Sequence, residues 1–295
     1  MKSLVILGAS GYIGTHLVHK LHKKYSIKVL VHGDRNPFEN LKTVRVFFGN
    51  ILDREIVKKI IERGDLVIVM AGTTTAVKDE KNHFDVNVIG QSVVASVCSD
   101  KGARVIYFST VHMYANSTAP SKETDRVYPE DIYSFSKKLG EDVYEFYSRT
   151  KKLSALVFRL GSVYGPGQHK GIVFTMAESL RKNGTIEIPR MEVVRDLIYV
   201  DDVVEAVEKA IHYRKNGFHV FNIAQGKRLT LLKLAETIIL LRKNNGVLRQ
   251  QKRKVSPATI RVSIAKAQKE LAFMPKVTLT HGLQKTLFSY NIVTL

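Results

Sequence analysis

The segment SLVILGASGYIG, residues 3–14, limits most tightly what this chain can become. Four apolar residues, Leu4 to Leu7, run directly into Gly8, Gly11 and Gly14. A short unbroken apolar run reads as a strand buried on both faces. Leaving it, the chain must turn tightly and then enter a helix. Gly8 permits the turn, Gly14 lets the helix close on the strand, and Gly11 lets backbone approach an outside group. Free N–H groups and partial positive charge at the helix start favour a phosphate there. The triad, with Tyr12 and Ile13 between its glycines, therefore implies a bound dinucleotide pyrophosphate.

The same alternation continues. IKVLVH, VRVFFGN, DLVIVMAG and ARVIYFST read as further strands. Helical segments are expected from Gly11 to about Lys23 and near 53–63, 83–101 and 132–150. LSALVFRLGSVYG follows the last of these. Alternating β and α units imply an α/β fold, a doubly wound parallel Rossmann sheet with right-handed crossovers. Beyond Gly165 the pattern loosens into short helices separated by TIEIP, RDLIYV and HVFNIA. The expected organisation is a dinucleotide-binding domain over 1–165 and a smaller C-terminal lobe over 166–295, interleaved with the end of the sheet.

An acid at the end of the second strand would accept hydrogen bonds from the NAD ribose. His32 stands at that position, with Asp34 and Arg35 just behind. Asp34 suits the ribose, whereas His32 and Arg35 suit a 2′-phosphate. NAD is favoured and NADP stays open. No apolar run has the ~18 residues that a membrane-spanning helix requires. The single cysteine, Cys98, excludes an intrachain disulfide, and a reducing cytoplasm is the default location. No metal site is expected. The formal net charge is +19, which favours anionic partners. Much of the excess falls in residues 241–270, where nine Lys or Arg face Glu270 alone. A solvated loop and helix face explains that segment, as does recruitment of an anionic ligand.

YSFSK, residues 133–137, places Tyr133 and Lys137 four residues apart, on one helix face. A free tyrosine, with pKa ~10, is a poor base at neutral pH. A nearby ammonium favours the phenolate. Together GASGYIG, YFSTVHMY, YSFSK, FRLGSVYGPGQ and RDLIYVDDVVEA resemble, in order and rough spacing, the motifs of the extended short-chain dehydrogenase/reductases. The chain is most similar to their nucleotide-sugar epimerase/dehydratase group, and the resemblance runs to the closing SIAKAQKELAFMPKVTLTHGLQKTL.

The resemblance implies an NAD(P)-dependent enzyme acting on a nucleotide-sugar. Tyr133 would exchange a proton with a sugar hydroxyl, its phenolate favoured by Lys137 and by the positive nicotinamide ring. Lys137 would also bond the nicotinamide ribose. Thr110 would orient the sugar oxygen, with Ser109 as its understudy. Asn50 stands where the group often has an acid at the adenine; Ile51 is next to it. The segment AGTTTA, residues 71–76, would bring Ala71, Gly72 and Thr73 past the cofactor. Asn87 is expected to be mainly structural, and Tyr164 to pack near the active site. Arg195, and a less certain Arg261, would hold the substrate diphosphate in the second lobe, where a planar guanidinium suits bidentate contact. The group also implies a homodimer built on the helices near 83–101 and 132–150.

Dehydratases of the group follow the threonine with an Asp-Glu pair, whereas Thr110 is followed by Val111 and His112. Dehydration is therefore disfavoured. A 4-epimerase is favoured, with a 4-keto-sugar reductase next. From another class, a non-catalytic dinucleotide sensor or nucleic-acid binder is the alternative. The retained Thr110, Tyr133 and Lys137, and the lack of a nucleic-acid-binding motif, weigh against it.

Overall fold

The computed structural model describes residues 3–74, 77–117, 119–188, 191–242, 246–250 and 259–293. Thr75 and Ala76 of the AGTTTA segment, and Lys243, Lys252, Arg253 and Lys254 of the basic segment, lie outside them.

The chain divides into two compact units. The first comprises residues 1–113, 126–159 and 206–221. The second comprises 114–125, 160–205 and 222–295.

The first unit is organised by β1 (Leu4–Leu7), β2 (Ile27–Val31), β3 (Val44–Phe48), β4 (Leu66–Val69), β5 (Arg104–Thr110), β6 (Ala155–Leu160) and β11 (Phe218–Ile223). They form a seven-stranded sheet in the order β11-β6-β5-β4-β1-β2-β3. β1 runs parallel to both β2 and β4, β2 to β3, and β4 to β5. Every residue of β1, β2, β4 and β6 is buried; β1 and β4 read as unbroken apolar runs, while β2 and β6 each carry one buried cation, Lys28 and Arg159. Edge strand β3 buries only Val44. Strand order reverses between β1 and β4. In open α/β sheets ligands bind beyond the strand ends at such a reversal.

Helices α1 (Tyr12–Leu21), α2 (Arg54–Ile60), α3 (Glu80–Phe84), α4 (Gly90–Asp100) and α5 (Ile132–Lys151) connect the strands. Asp53 caps α2 by accepting from the N–H groups of Glu55 and Ile56. Between α3 and α4 lies one π-helical turn, Asp85–Ile89. Asp131 caps α5 by accepting from the Ser134 N–H at 2.7 Å, so the catalytic candidates Tyr133 and Lys137 lie in its first two turns. Beneath them the Arg159 guanidinium grips Glu141 of α5 in a buried pair, with Nε–Oε1 at 3.0 Å and Nη2–Oε2 at 2.7 Å.

Among its described residues, the second unit contains three two-stranded sheets: β7 (Ser162–Tyr164) with β10 (Leu197–Tyr199), β8 (Thr185–Ile188) with β13 (Val247–Gln250), and β9 (Val194–Arg195) with β12 (Leu229–Thr230). Helices α6 (Gly171–Asn183), α7 (Val200–Ile211), α8 (Leu231–Leu241), α9 (Ala265–Leu271) and α10 (Leu279–Ser289) accompany them, with α7 passing back into the first unit at Ala206. Among the described residues, no helix is long and apolar enough to cross a membrane.

Candidate active site

Gly8, Gly11 and Gly14 are required for different reasons. Gly8 has φ +86°, and a Cβ there would lie 2.4 Å from the Ala71 amide nitrogen. A Cβ on Gly14 would lie 2.6 Å from the carbonyl oxygens of Gly8 and Ala9. These two are glycine because β1, β4 and α1 pack so closely. Gly11 is exposed, has an ordinary φ of −71°, and would meet only the Gly8 carbonyl, at 3.3 Å. Protein packing barely restricts it, so its missing side chain leaves space on the outer side of the helix start. Tyr12 and Ile13 are half-buried beside it.

His32, Asp34 and Arg35 are exposed together just past β2. Asn50 Oδ1 accepts from the Leu52 N–H at 3.0 Å and shapes the turn before α2. The Ile51 side chain is buried in the core, which leaves only its backbone for a ligand.

The next loop is drawn in by the π-helical turn. Asn87 is fully buried. Its Oδ1 accepts from the Thr73 N–H at 3.0 Å, and its Nδ2 donates to Thr73 Oγ1 and to Ser136 Oγ, both at 2.9 Å. The Thr73 side chain is therefore committed within the protein. A Cβ on Gly72 would lie 2.9 Å from Asn87 Oδ1 and 3.3 Å from Lys137 Nζ, so the loop backbone passes directly over both. Ala71 is fixed through its carbonyl, which accepts from Gln91 Nε2 at 3.1 Å.

Thr110, Tyr133 and Lys137 are brought together by β5 and α5. Thr110 ends β5 and hydrogen-bonds the Tyr133 phenol. Its Oγ1 also accepts from the His112 N–H at 3.2 Å, so the Thr110 proton is free to go to Tyr133. Lys137, 5% exposed, places Nζ 4.3 Å from the centre of the Tyr107 ring. Among the described residues no acceptor hydrogen-bonds that ammonium. Burial lowers Lys137 to about 7, with Glu141 pulling the other way. Burial also pushes Tyr133 up to about 12, although the Thr110 bond opposes the rise.

The sequence expectation of a more acidic phenol counts the positive nicotinamide ring together with Lys137, and in the chain alone burial outweighs the lysine. The same apolar surroundings that would strengthen the ammonium's field also disfavour the ammonium itself. Lowering the phenol needs a positive charge beyond the chain's own. Ser109 Oγ is buried without a hydrogen-bond partner among the described residues. Val111 is buried and His112 half-buried in the short 3₁₀ turn that follows Thr110, so no carboxylate comes next to the threonine.

Arg195 and Arg261 lie in the second unit on adjoining segments. The Ile260 N–H donates to the Val194 carbonyl at 3.2 Å, and the Val262 N–H donates to Asp196 Oδ2 at 3.2 Å. Burial raises Asp196 to about 7, while Arg261 pulls it down. Arg261 Nε is buried without a partner among the described residues. Tyr164 packs edge-on against Tyr199 in the same unit, ring centres 5.6 Å apart.

Sequence reasoning missed His83. It is fully buried, and its ring meets that of Tyr133 at 6.2 Å between centres. A histidine four residues before a structural asparagine has no distinctive pattern. Among the described residues, no group of three or more His, Cys, Asp or Glu is placed to hold a metal.

The profile of the NAD dependent epimerase/dehydratase family matches residues 4–224. The chain is 26% identical to dTDP-4-dehydro-6-deoxyglucose reductase of Escherichia coli, over 97% of this chain and 96% of that one. It is also 26% identical to dTDP-D-glucose 4,6-dehydratase of Dictyostelium discoideum, covering 81% of this chain but only 62% of the relative's length. The structure superposes on UDP-glucose 4-epimerase of Thermotoga maritima, solved with UDP-glucose, with a TM-score of 0.88, 26% identity and 98% of each chain covered. A reductase, a dehydratase and an epimerase are thus equally similar, and identity does not choose among their reactions. Strand order, glycine turn and family profile agree that this chain belongs to the NAD-dependent epimerase/dehydratase family of enzymes.

Proposed function

We propose that the protein is a nucleotide-sugar 4-epimerase that works by transient oxidation at sugar carbon 4. The observation that carries this reading is the Thr110–Tyr133–Lys137 cluster, with Val111 and His112 where an eliminating enzyme needs carboxylates. The cluster suits proton exchange at one sugar oxygen and offers no second carboxylate pair for loss of water.

NAD, when bound, supplies the hydride acceptor and donor. The chain's residues fit it. Gly11 leaves room for the pyrophosphate at the start of α1, and the Lys137 ammonium lacks an acceptor that a ribose diol would provide. Asp34 would take the adenosine ribose. NADP is the second reading, favoured by His32 and Arg35 exposed beside Asp34. Gly8, Tyr12, Ile13, Gly14, Ala71, Gly72 and the backbone of Asn50, Ile51 and Thr73 complete the cofactor surface.

Tyr133 takes the proton from the sugar 4-hydroxyl and returns it after the keto sugar has turned over. Thr110 holds the sugar oxygen and donates to the phenolate while it is charged. The Lys137 ammonium, once it has an acceptor, supplies positive charge close to that phenolate. Arg195 and Arg261 bind the nucleotide diphosphate.

A homodimer is part of this reading. Phe135 and Phe146 of α5 are 44% and 52% exposed, and Ile89 of the π-helical turn is 53% exposed. Residues 135 and 146 are about three helical turns apart and so share a face.

The test is to identify the nucleotide that co-purifies and to offer UDP- and dTDP-hexoses. Tightly held NAD, with conversion between 4-epimers and no net change in NADH, is expected. Stoichiometric NADPH consumption by a 4-keto sugar would replace the epimerase with a reductase. Salt-sensitive retention on nucleic acid without turnover would replace both with a binding protein.

A further inference from the structure

His83 is buried, and its two ring nitrogens bond in opposite directions. Nε2 lies 3.0 Å from the Val77 carbonyl, which can only accept, so Nε2 carries the proton. Nδ1 lies 2.5 Å from Thr73 Oγ1 and shares a hydrogen bond with it. The Thr73 oxygen in turn accepts from Asn87 Nδ2. The other Asn87 amide proton goes to Ser136 Oγ, and Ser136 donates to the Tyr133 carbonyl at 2.8 Å. Hydrogen bonds run outward from Asn87 in two branches, one through Thr73 to His83 and the other through Ser136 to the backbone of Tyr133. The imidazole also meets the Tyr133 ring edge-on, at 61° between planes. A single histidine thus reaches this tyrosine from two sides and ties Thr73 and Val77 to the start of α5.

We propose that His83 is the positioning residue for Tyr133: its imidazole seats the phenol ring and orders the hydrogen bonds beneath it, without touching the sugar. The inference rests on the reading of Tyr133 as the proton-transfer group. Phenylalanine would keep the edge contact but leave Thr73 and Val77 without their shared partner. Small misplacements of a catalytic group cost up to about 100-fold in rate.

The experiment compares His83→Phe, Thr73→Val, the double variant and Tyr133→Phe, using the cofactor-loaded enzyme and the nucleotide-sugar it turns over. For H83F, kcat is expected to fall roughly 10- to 100-fold, with KM and the NAD dissociation constant within about twofold. The double variant is expected to be no slower than H83F, because both changes cut the same hydrogen bond. An unchanged kcat, a loss confined to KM, or additive losses in the double variant would overturn the proposal. Should H83F not fold, as judged by its thermal melt, His83→Gln decides. It keeps a donor and an acceptor but no ring, so a slowed kcat at unchanged KM supports the proposal and full activity refutes it. Y133F separates the two claims. If Y133F is inactive and H83F is fully active, only the role of His83 falls; if Y133F is active, both fall.

Discussion

The two units solve the problem of holding polar groups in opposite ways. In the first, the site is mounted on long regular elements. Thr110 ends a seven-residue strand, and Tyr133 and Lys137 open a twenty-residue helix capped by Asp131. In the second, no sheet among the described residues has more than two strands, and single buried side chains join distant segments. Asn222 accepts from the Tyr114 hydroxyl at 2.8 Å and donates to the carbonyls of Ser121 and Ser263, both at 3.1 Å. Asp202 accepts from the N–H groups of Lys276 and Val277. A regular scaffold fixes geometry once for every residue on it, as a proton-transfer site requires. Loops held by individual polar contacts can change shape one contact at a time, as the recognition of different substrates requires.

The contrast breaks most sharply at the site itself. Tyr133→Phe is expected to lower kcat by about 10²- to 10⁴-fold while the thermal melt stays unchanged; a smaller kinetic loss would move the chemistry away from the first unit. Next comes Glu141→Gln, which strands a buried guanidinium. It is expected to cost about 3–5 kcal/mol of stability in urea unfolding. The matching change in the second unit, Asn222→Ala, leaves carbonyls and a hydroxyl unpaired and is expected to cost about 1–3 kcal/mol. Equal costs would erase the distinction between scaffold and loops.

The glycine turn sharpens the comparison within one motif. Gly8→Ala, with its left-handed φ and a backbone atom 2.4 Å away, is expected to destabilise the protein by at least about 2 kcal/mol. Gly11→Ala is expected to change stability by less than about 1 kcal/mol yet weaken NAD binding in calorimetry. The last effect concerns pH. With Lys137 lowered to about 7 from 10.5, the unfolded chain holds more protons across that interval. Stability of the cofactor-free protein is therefore expected to rise from pH 7 towards 10, by up to about 1.4 kcal/mol per pH unit. Below pH 7 this contribution is flat, and Lys137→Met is expected to remove the slope.

How much of this was legible follows from the same contrast. Strands β1, β2 and β4 and the cap-and-helix start of α5 are written in neighbouring residues, so pattern and spacing find them. The glycine turn was legible too, though the separate duty of Gly11 emerged only from what surrounds each position. His83 was invisible because its partners, Val77 and Tyr133, are set by folding rather than spacing. The burial that raises Tyr133 in the chain alone was not legible, because proximity to a lysine says nothing about shared burial. Asn222 joins residues 101 and 41 positions away, and no local pattern records such a link.

The most direct test uses UDP-glucose, or whichever hexose the enzyme converts, carrying deuterium at carbon 4. The account predicts that the 4-epimer forms with the deuterium still on carbon 4, and that Tyr133→Phe abolishes this conversion. Deuterium lost to solvent during epimerisation, or label transfer undiminished in the phenylalanine variant, would contradict it.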